Sequence, residues 1–184
     1  KAKKFREIIS YVKQQDTRLL IHTNGGIHGH DYWTDVGNIL DKRDIINFDL
    51  DGLEDTHHIY RVNTKFENVY NNAKSVIKTT KAQVHWKYIV FEHNKHQVDD
   101  ARKLANDTGF TTFSTVKTSR DVFAPSKGKF VHSKKTQAYK QAERKIHCVW
   151  DDWGKWYISP EGLVFRCCWT GGHYYDNDNS RFYY

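Results

Sequence analysis

Apolar residues recur along this chain with two periods, and the periods take turns. Phe5, Ile8, Ile9 and Val12 stand at i, i+3, i+4 and i+7, which predicts an amphipathic helix over residues 1–13. Residues 18–22 form a short leucine- and isoleucine-rich strand that ends at Thr23-Asn24-Gly25-Gly26, where two glycines break it. Trp33, Val36 and Leu40 then mark a helix, with Asp31 as its expected N-cap. Residues 45–50 are the second strand. Its helix opens at Thr64-x-x-Glu67, a capping-box pattern, and carries the stripe Phe66, Val69, Tyr70, Ala73, Val76 and Ile77. Residues 84–91 are the third strand. Asn94 and Gln97 suggest a second capping box before a helix faced by Val98, Ala101, Leu104 and Ala105, which Gly109 stops. Residues 110–116 are the fourth strand.

Strands alternating with helices of this length predict an α/β fold, with a parallel sheet and right-handed crossovers. Four strands do not close an eight-stranded barrel, so the expected architecture is an open or partial (β/α) barrel lacking its first strands. This domain is expected over residues 1–120, and a basic linker over 121–145. A small hairpin should pair residues 156–158 with 163–165 across Ser159-Pro160-Glu161-Gly162, whose Pro and Gly positions fit a type I turn. It belongs to a cysteine-containing region at 146–184.

Composition narrows the classes. The chain has 184 residues, a net charge of +7 and 15% aromatic side chains, enough for a sizeable core. No apolar run approaches the roughly 18 residues that span a membrane, and no signal peptide opens the sequence, so the default compartment is the cytosol. The positive charge suits nucleic acid or an acidic partner, but no arginine-rich run or nucleic-acid motif accompanies it. The three cysteines fall after residue 147, an odd and clustered set that suits metal ligation or reduced thiols better than a disulfide framework. The chain contains no methionine and starts inside a helical pattern, so a piece of a longer protein is expected.

In parallel α/β sheets, ligands sit beyond the carboxyl ends of the strands. Those ends carry Thr23 and Asn24, then Asp49 and Asp51, then Glu92, His93 and Asn94, and finally Thr118, Ser119 and Arg120. Asp49 alternates with Phe48 and Leu50 and so points to the opposite face, where a carboxylate needs a partner. Asp51 precedes Gly52 and also reads as a turn residue. Adjacent His57 and His58 point apart, which favours helix-capping or surface roles. Arg61 is placed to bind an acidic group or to staple the loop to Asp51 or Asp55. Lys87 interrupts an apolar strand, and it either snorkels at an edge or faces the interior beside an anion. Cys148 is followed by thirteen residues, Gly162, four residues and Cys167. The hairpin can bring Cys148 and Cys167 to one metal, and thiolates suit zinc or an iron–sulfur cluster. His147 or His173 could complete a zinc site.

Together these residues resemble a radical S-adenosylmethionine enzyme with a SPASM or twitch auxiliary domain. The resemblance spans roughly residues 5–169. It rests on Thr23-Asn24-Gly25, on Phe48-Asp49-Leu50-Asp51-Gly52 with His57, Tyr60 and Arg61, and on Phe66-Glu67-x-Val69. The strand Trp86-Lys87-Tyr88-Ile89-Val90-Phe91 ending at Asn94, and Cys148…Gly162-x4-Cys167, complete it. The order and spacing of these pieces are more specific than any one of them.

The resemblance implies an oxidoreductase in which a [4Fe–4S] cluster reduces S-adenosylmethionine and a 5′-deoxyadenosyl radical abstracts a substrate hydrogen atom. It places Thr23, Asn24, Asp49, Asp51, Lys87 and Asn94 at the cofactor. It assigns Cys148 and Cys167 to an auxiliary cluster, with Cys168 as a spare ligand. It further implies a peptide or other macromolecular substrate and a reductant such as flavodoxin or ferredoxin. The Cys-x3-Cys-x-x-Cys loop and the glycine-rich segment of the family are absent here, and both are expected upstream of Lys1. The contrasting reading is a non-catalytic, zinc-stabilised α/β module that binds nucleic acid or acidic partners.

Overall fold

The computed structural model describes residues 4–117, 154–159 and 162–166. The expected linker at 121–145, the cysteines Cys148, Cys167 and Cys168, and Thr118, Ser119, Arg120, His147 and His173 lie outside the described residues. The chain divides into two compact units, Ile9–Lys140 and Lys1–Ile8 with Gln141–Tyr184.

The larger unit is α/β. After helix α1 (Phe5–Gln14) come β1 (Leu20–Thr23), α2 (His30–Ile39), β2 (Ile45–Asp49), the short α3 (His57–Tyr60), α4 (Phe66–Thr79), β3 (Gln83–Val90), a 3₁₀ turn at Lys95–Gln97, α5 (Val98–Thr108) and β4 (Thr112–Lys117). The strands lie in sequence order, β1-β2-β3-β4, and every pair is parallel. Sequential order with crossovers of one hand puts all the connecting helices on one side. Ring contacts agree with this. Trp33 of α2 lies 5.3 Å from Phe48, Phe66 of α4 lies 6.1 Å from Trp86, and the Arg102 guanidinium of α5 sits 4.9 Å over Phe113.

That covered face holds the core. Ile46, Phe48, Leu50, Trp86 and Tyr88 are fully buried, against Val36, Val69, Ala73, Val76, Ala101 and Ala105 from the helices. Burying such side chains contributes roughly 1.5–3 kcal/mol each. Trp86 is also hydrogen-bonded, its indole Nε1–H donating to the Leu50 carbonyl at 2.9 Å. Helices α2 and α4 touch at Gly37, where a Cβ would overlap the Thr79 hydroxyl and stand 3.2 Å from the Val76 carbonyl oxygen, so a larger residue would force Thr79 to shift.

The helix starts differ from the expected caps. Gly29 precedes α2, and Asp31 sits inside the first turn, where its charge still favours the amino end of the helix. Lys65 precedes α4, and no side chain caps it. The Thr64 hydroxyl donates instead to the Arg61 carbonyl at 2.6 Å, because a bend held from outside the helix competes for it. Asn94 and Gln97 likewise turn to other partners. Gly109 follows α5 as expected.

In the smaller unit, β5 (Tyr157–Ile158) pairs antiparallel with β6 (Val164–Phe165). The Gly162 amide donates to the Ser159 carbonyl at 2.9 Å between them. Among the described residues, no helix is long and apolar enough to cross a membrane.

Candidate functional site

A parallel sheet is ordinarily apolar on both faces, because both are covered. Here the face away from the helices is polar. His22, Asn47 and His85 lie in register across β1, β2 and β3. One step towards the carboxyl edge, Asp49, Lys87 and Ser114 lie in register across β2, β3 and β4. Asp49 and Lys87 are each half-buried. Among the described residues the Lys87 ammonium makes no hydrogen bond or ion pair, yet its charge acts on Asp49. Burial pushes the Asp49 carboxyl above the usual range, while Arg61, His22 and Lys87 pull it back.

The carboxyl edge of β2 is fastened by Asp51 and Arg61. Asp51 is fully buried. Its Oδ1 accepts the Ile89 amide at 2.6 Å, and its Oδ2 accepts Arg61 Nε at 2.6 Å. Arg61 Nη2 reaches the Asp49 carboxylate at 3.3 Å. One guanidinium thus spans both carboxylates, a geometry its planar fork permits. Burial raises the Asp51 carboxyl, against the opposing effects of Arg61 and the Ile89 amide.

Gly52 starts the loop that brings Arg61 there. Its φ is 133°, and a Cβ would strike the His57 backbone nitrogen at 2.7 Å. His57 is also buried, unlike the capping or surface role expected for it. Its Nδ1 accepts the Asp51 amide at 3.3 Å, and its Nε2 lies 3.0 Å from the Thr64 hydroxyl. These partners select the neutral ring with the proton on Nε2, passing a hydrogen bond through Thr64 to the Arg61 carbonyl. Burial and the nearby Arg61 lower the His57 pKa to about 4. His58 is exposed.

Asn94 is fully buried too. Its Oδ1 accepts the Phe91 amide at 2.7 Å, and its Nδ2 donates to the Asp51 carbonyl at 3.2 Å and the Ile89 carbonyl at 3.0 Å. Asp51 and Asn94 were both expected to line the pocket. Their side-chain polar atoms are instead engaged within the protein, tying the ends of β2 and β3 together. Gln97 adds a second tie, accepting from the Leu53 amide at 3.1 Å and from the Thr56 hydroxyl.

At the end of β1, the Thr23 hydroxyl accepts the Gly25 amide at 2.9 Å, and Asn24 Oδ1 accepts the Gly26 amide at 3.3 Å. Asn72 of α4 holds this loop from behind, donating to the Gly25 carbonyl at 2.8 Å. At the end of β3, exposed Glu92 pairs with Lys95 at 2.7 Å. His93 stacks on Phe91 at 5.3 Å, and its buried Nε2 has no hydrogen-bond partner among the described residues.

The structure therefore brings Asp49 and Lys87 together on the face away from the helices, with Thr23 and Asn24 at the same edge, and puts Asp51 and Asn94 behind it. The sequence reading missed His22, Asn47 and His85. Part of their signal was present: Asn47 and Asp49 on β2, and Gln83, His85 and Lys87 on β3, put polar residues at every second position of one face. Among the described residues, no group of three or more His, Cys, Asp or Glu side chains is gathered to hold a metal ion.

No protein-family model matches this chain, and a search of curated proteins finds no match.

Proposed function

We propose that this chain forms part of a radical S-adenosylmethionine oxidoreductase, and that the polar face of its sheet is one wall of the cofactor pocket of a partial (β/α) barrel. The observation that carries the reading is the in-register pair Asp49 and Lys87, opposite charges on neighbouring strands of the face away from the helices. Adjacent strands lie about 4.8 Å apart. S-adenosylmethionine ends in an α-amino acid, whose ammonium suits Asp49 and whose carboxylate suits Lys87. The donor set therefore fits the group. Thr23 and Asn24 would border it from β1, while Asp51 and Asn94 hold the edge in shape without touching it.

When bound, S-adenosylmethionine and a [4Fe–4S] cluster supply hydrogen-atom abstraction from a substrate, here proposed to be a peptide or another macromolecule. This chain's own part is to bind and orient. Asp49 and Lys87 fix one end of the cofactor, and the covered core behind Phe48 and Trp86 keeps the wall rigid. None of the described residues is a cysteine, so the catalytic cluster's ligands are assigned outside them. Cys148, Cys167 and Cys168 are assigned to an auxiliary cluster. A flavodoxin- or ferredoxin-type protein is the proposed reductant.

Metal analysis of the full-length protein, purified without oxygen, tests the reading. Iron with matching acid-labile sulfide supports it. Stoichiometric zinc, with DNA binding that weakens steeply in salt, would replace it with the non-catalytic module.

A further inference from the structure

Arg61 does more than neutralise a buried acid. Asp51 alone occupies its Nε at 2.6 Å, and that contact already gives the buried carboxylate its counter-charge. The remaining arm of the guanidinium goes at 3.3 Å to Asp49, the carboxylate in register with Lys87 on the face away from the helices. The side chain of Arg61 is four-fifths buried, so its direction is set by what surrounds it. Asp51 receives the Ile89 amide, and the Asp51 amide is in turn taken up by His57. Arg61 therefore approaches Asp49 from a fixed origin at Asp51.

We propose that Arg61 is a positioning residue: it orients the Asp49 carboxylate towards the ligand on the face away from the helices and keeps it ionised there, acting through Asp49 and touching no ligand itself. This rests on the cofactor reading for the identity of the ligand. The orientation of Asp49 by Arg61 does not depend on it. A lysine at this position keeps the charge but lacks the fork, so it cannot satisfy both carboxylates.

The test is a double-mutant cycle in the full-length protein, with S-adenosylmethionine affinity read by equilibrium dialysis and folding monitored by the melting temperature. Arg61→Lys should weaken binding by about tenfold, the worth of one charge-assisted hydrogen bond. In an Asp49→Asn background the same change should have no further effect on affinity, because its only route to the ligand is gone. Equal losses in both backgrounds, or none in the parent, would overturn the proposal and leave Arg61 a structural residue.

A second readout is the carboxyl carbon resonance of Asp49, followed by NMR against pH alongside the Arg61 side-chain nitrogen signals in the unaltered protein. Coincident titration supports the link, and independent titration refutes it. If the unaltered protein binds no S-adenosylmethionine, the cofactor reading falls, and this NMR result alone decides the role of Arg61. It also decides the matter if Arg61→Lys does not fold.

Discussion

Acidification should unfasten the loop at the end of β2, and His57 is the reason. Its ring is 1% exposed, and its Nδ1 accepts the Asp51 amide. A proton on Nδ1 would set one N–H against another and add a buried cation near Arg61. The folded protein therefore resists protonating His57 until pH about 4, whereas the unfolded chain does so near 6.5. A depressed histidine pKa means that the unfolded state binds more protons through this window. Stability is then intact above pH 6.5 and falls as pH drops towards 4. About 2.5 pK units at 1.36 kcal/mol each give a loss of about 3 kcal/mol. Asp49 and Asp51 act with the opposite sign, since raised carboxyl values favour the fold as pH falls.

His57→Asn separates these effects. The asparagine oxygen can take the place of Nδ1 but does not titrate. Urea unfolding followed by tryptophan fluorescence, at pH 7, 5.5 and 4, gives both stability curves. The variant should be weaker at pH 7, where it loses the ring against Phe66 and the Thr64 bond. The gap between the two proteins should shrink by about 3 kcal/mol by pH 4. Parallel curves would refute the claim that a neutral His57 is required.

Three other outcomes are expected. Asp49→Ala should weaken S-adenosylmethionine binding by at least tenfold in the full-length protein, and unchanged affinity by dialysis would remove Asp49 from the pocket. Cys148→Ala should lose iron from an auxiliary site only, so an unaltered iron count would make these thiols structural. Trp86→Ala should cost about 3–5 kcal/mol in urea unfolding, because it empties the centre of the covered face and strands the Leu50 carbonyl.

Periodicity made the frame legible. The stripe on α4 and the apolar runs of β2 and β3 are properties of local sequence, and the packing uses them as written. The alternation at Asn47 and Asp49, repeated at His85 and Lys87, also encoded the polar face of the sheet, though it shows only when neighbouring strands are placed in register. Caps were less legible. Thr64-x-x-Glu67 has the spacing of a capping box, but its threonine hydroxyl is taken by the Arg61 carbonyl and by His57. Asn94 resembles a helix start, yet it joins two strand ends. The burial of His57 could not be read from a His-His pair, because which ring turns inward depends on the loop geometry that Gly52 permits.

Formation of 5′-deoxyadenosine decides the central claim most directly. The full-length protein, with its iron–sulfur content restored, is reduced with dithionite in the presence of S-adenosylmethionine, and the nucleoside is quantified by chromatography. The nucleoside should accumulate, and Asp49→Ala should slow its formation. A cluster-loaded, reduced protein that leaves S-adenosylmethionine intact would contradict the claim.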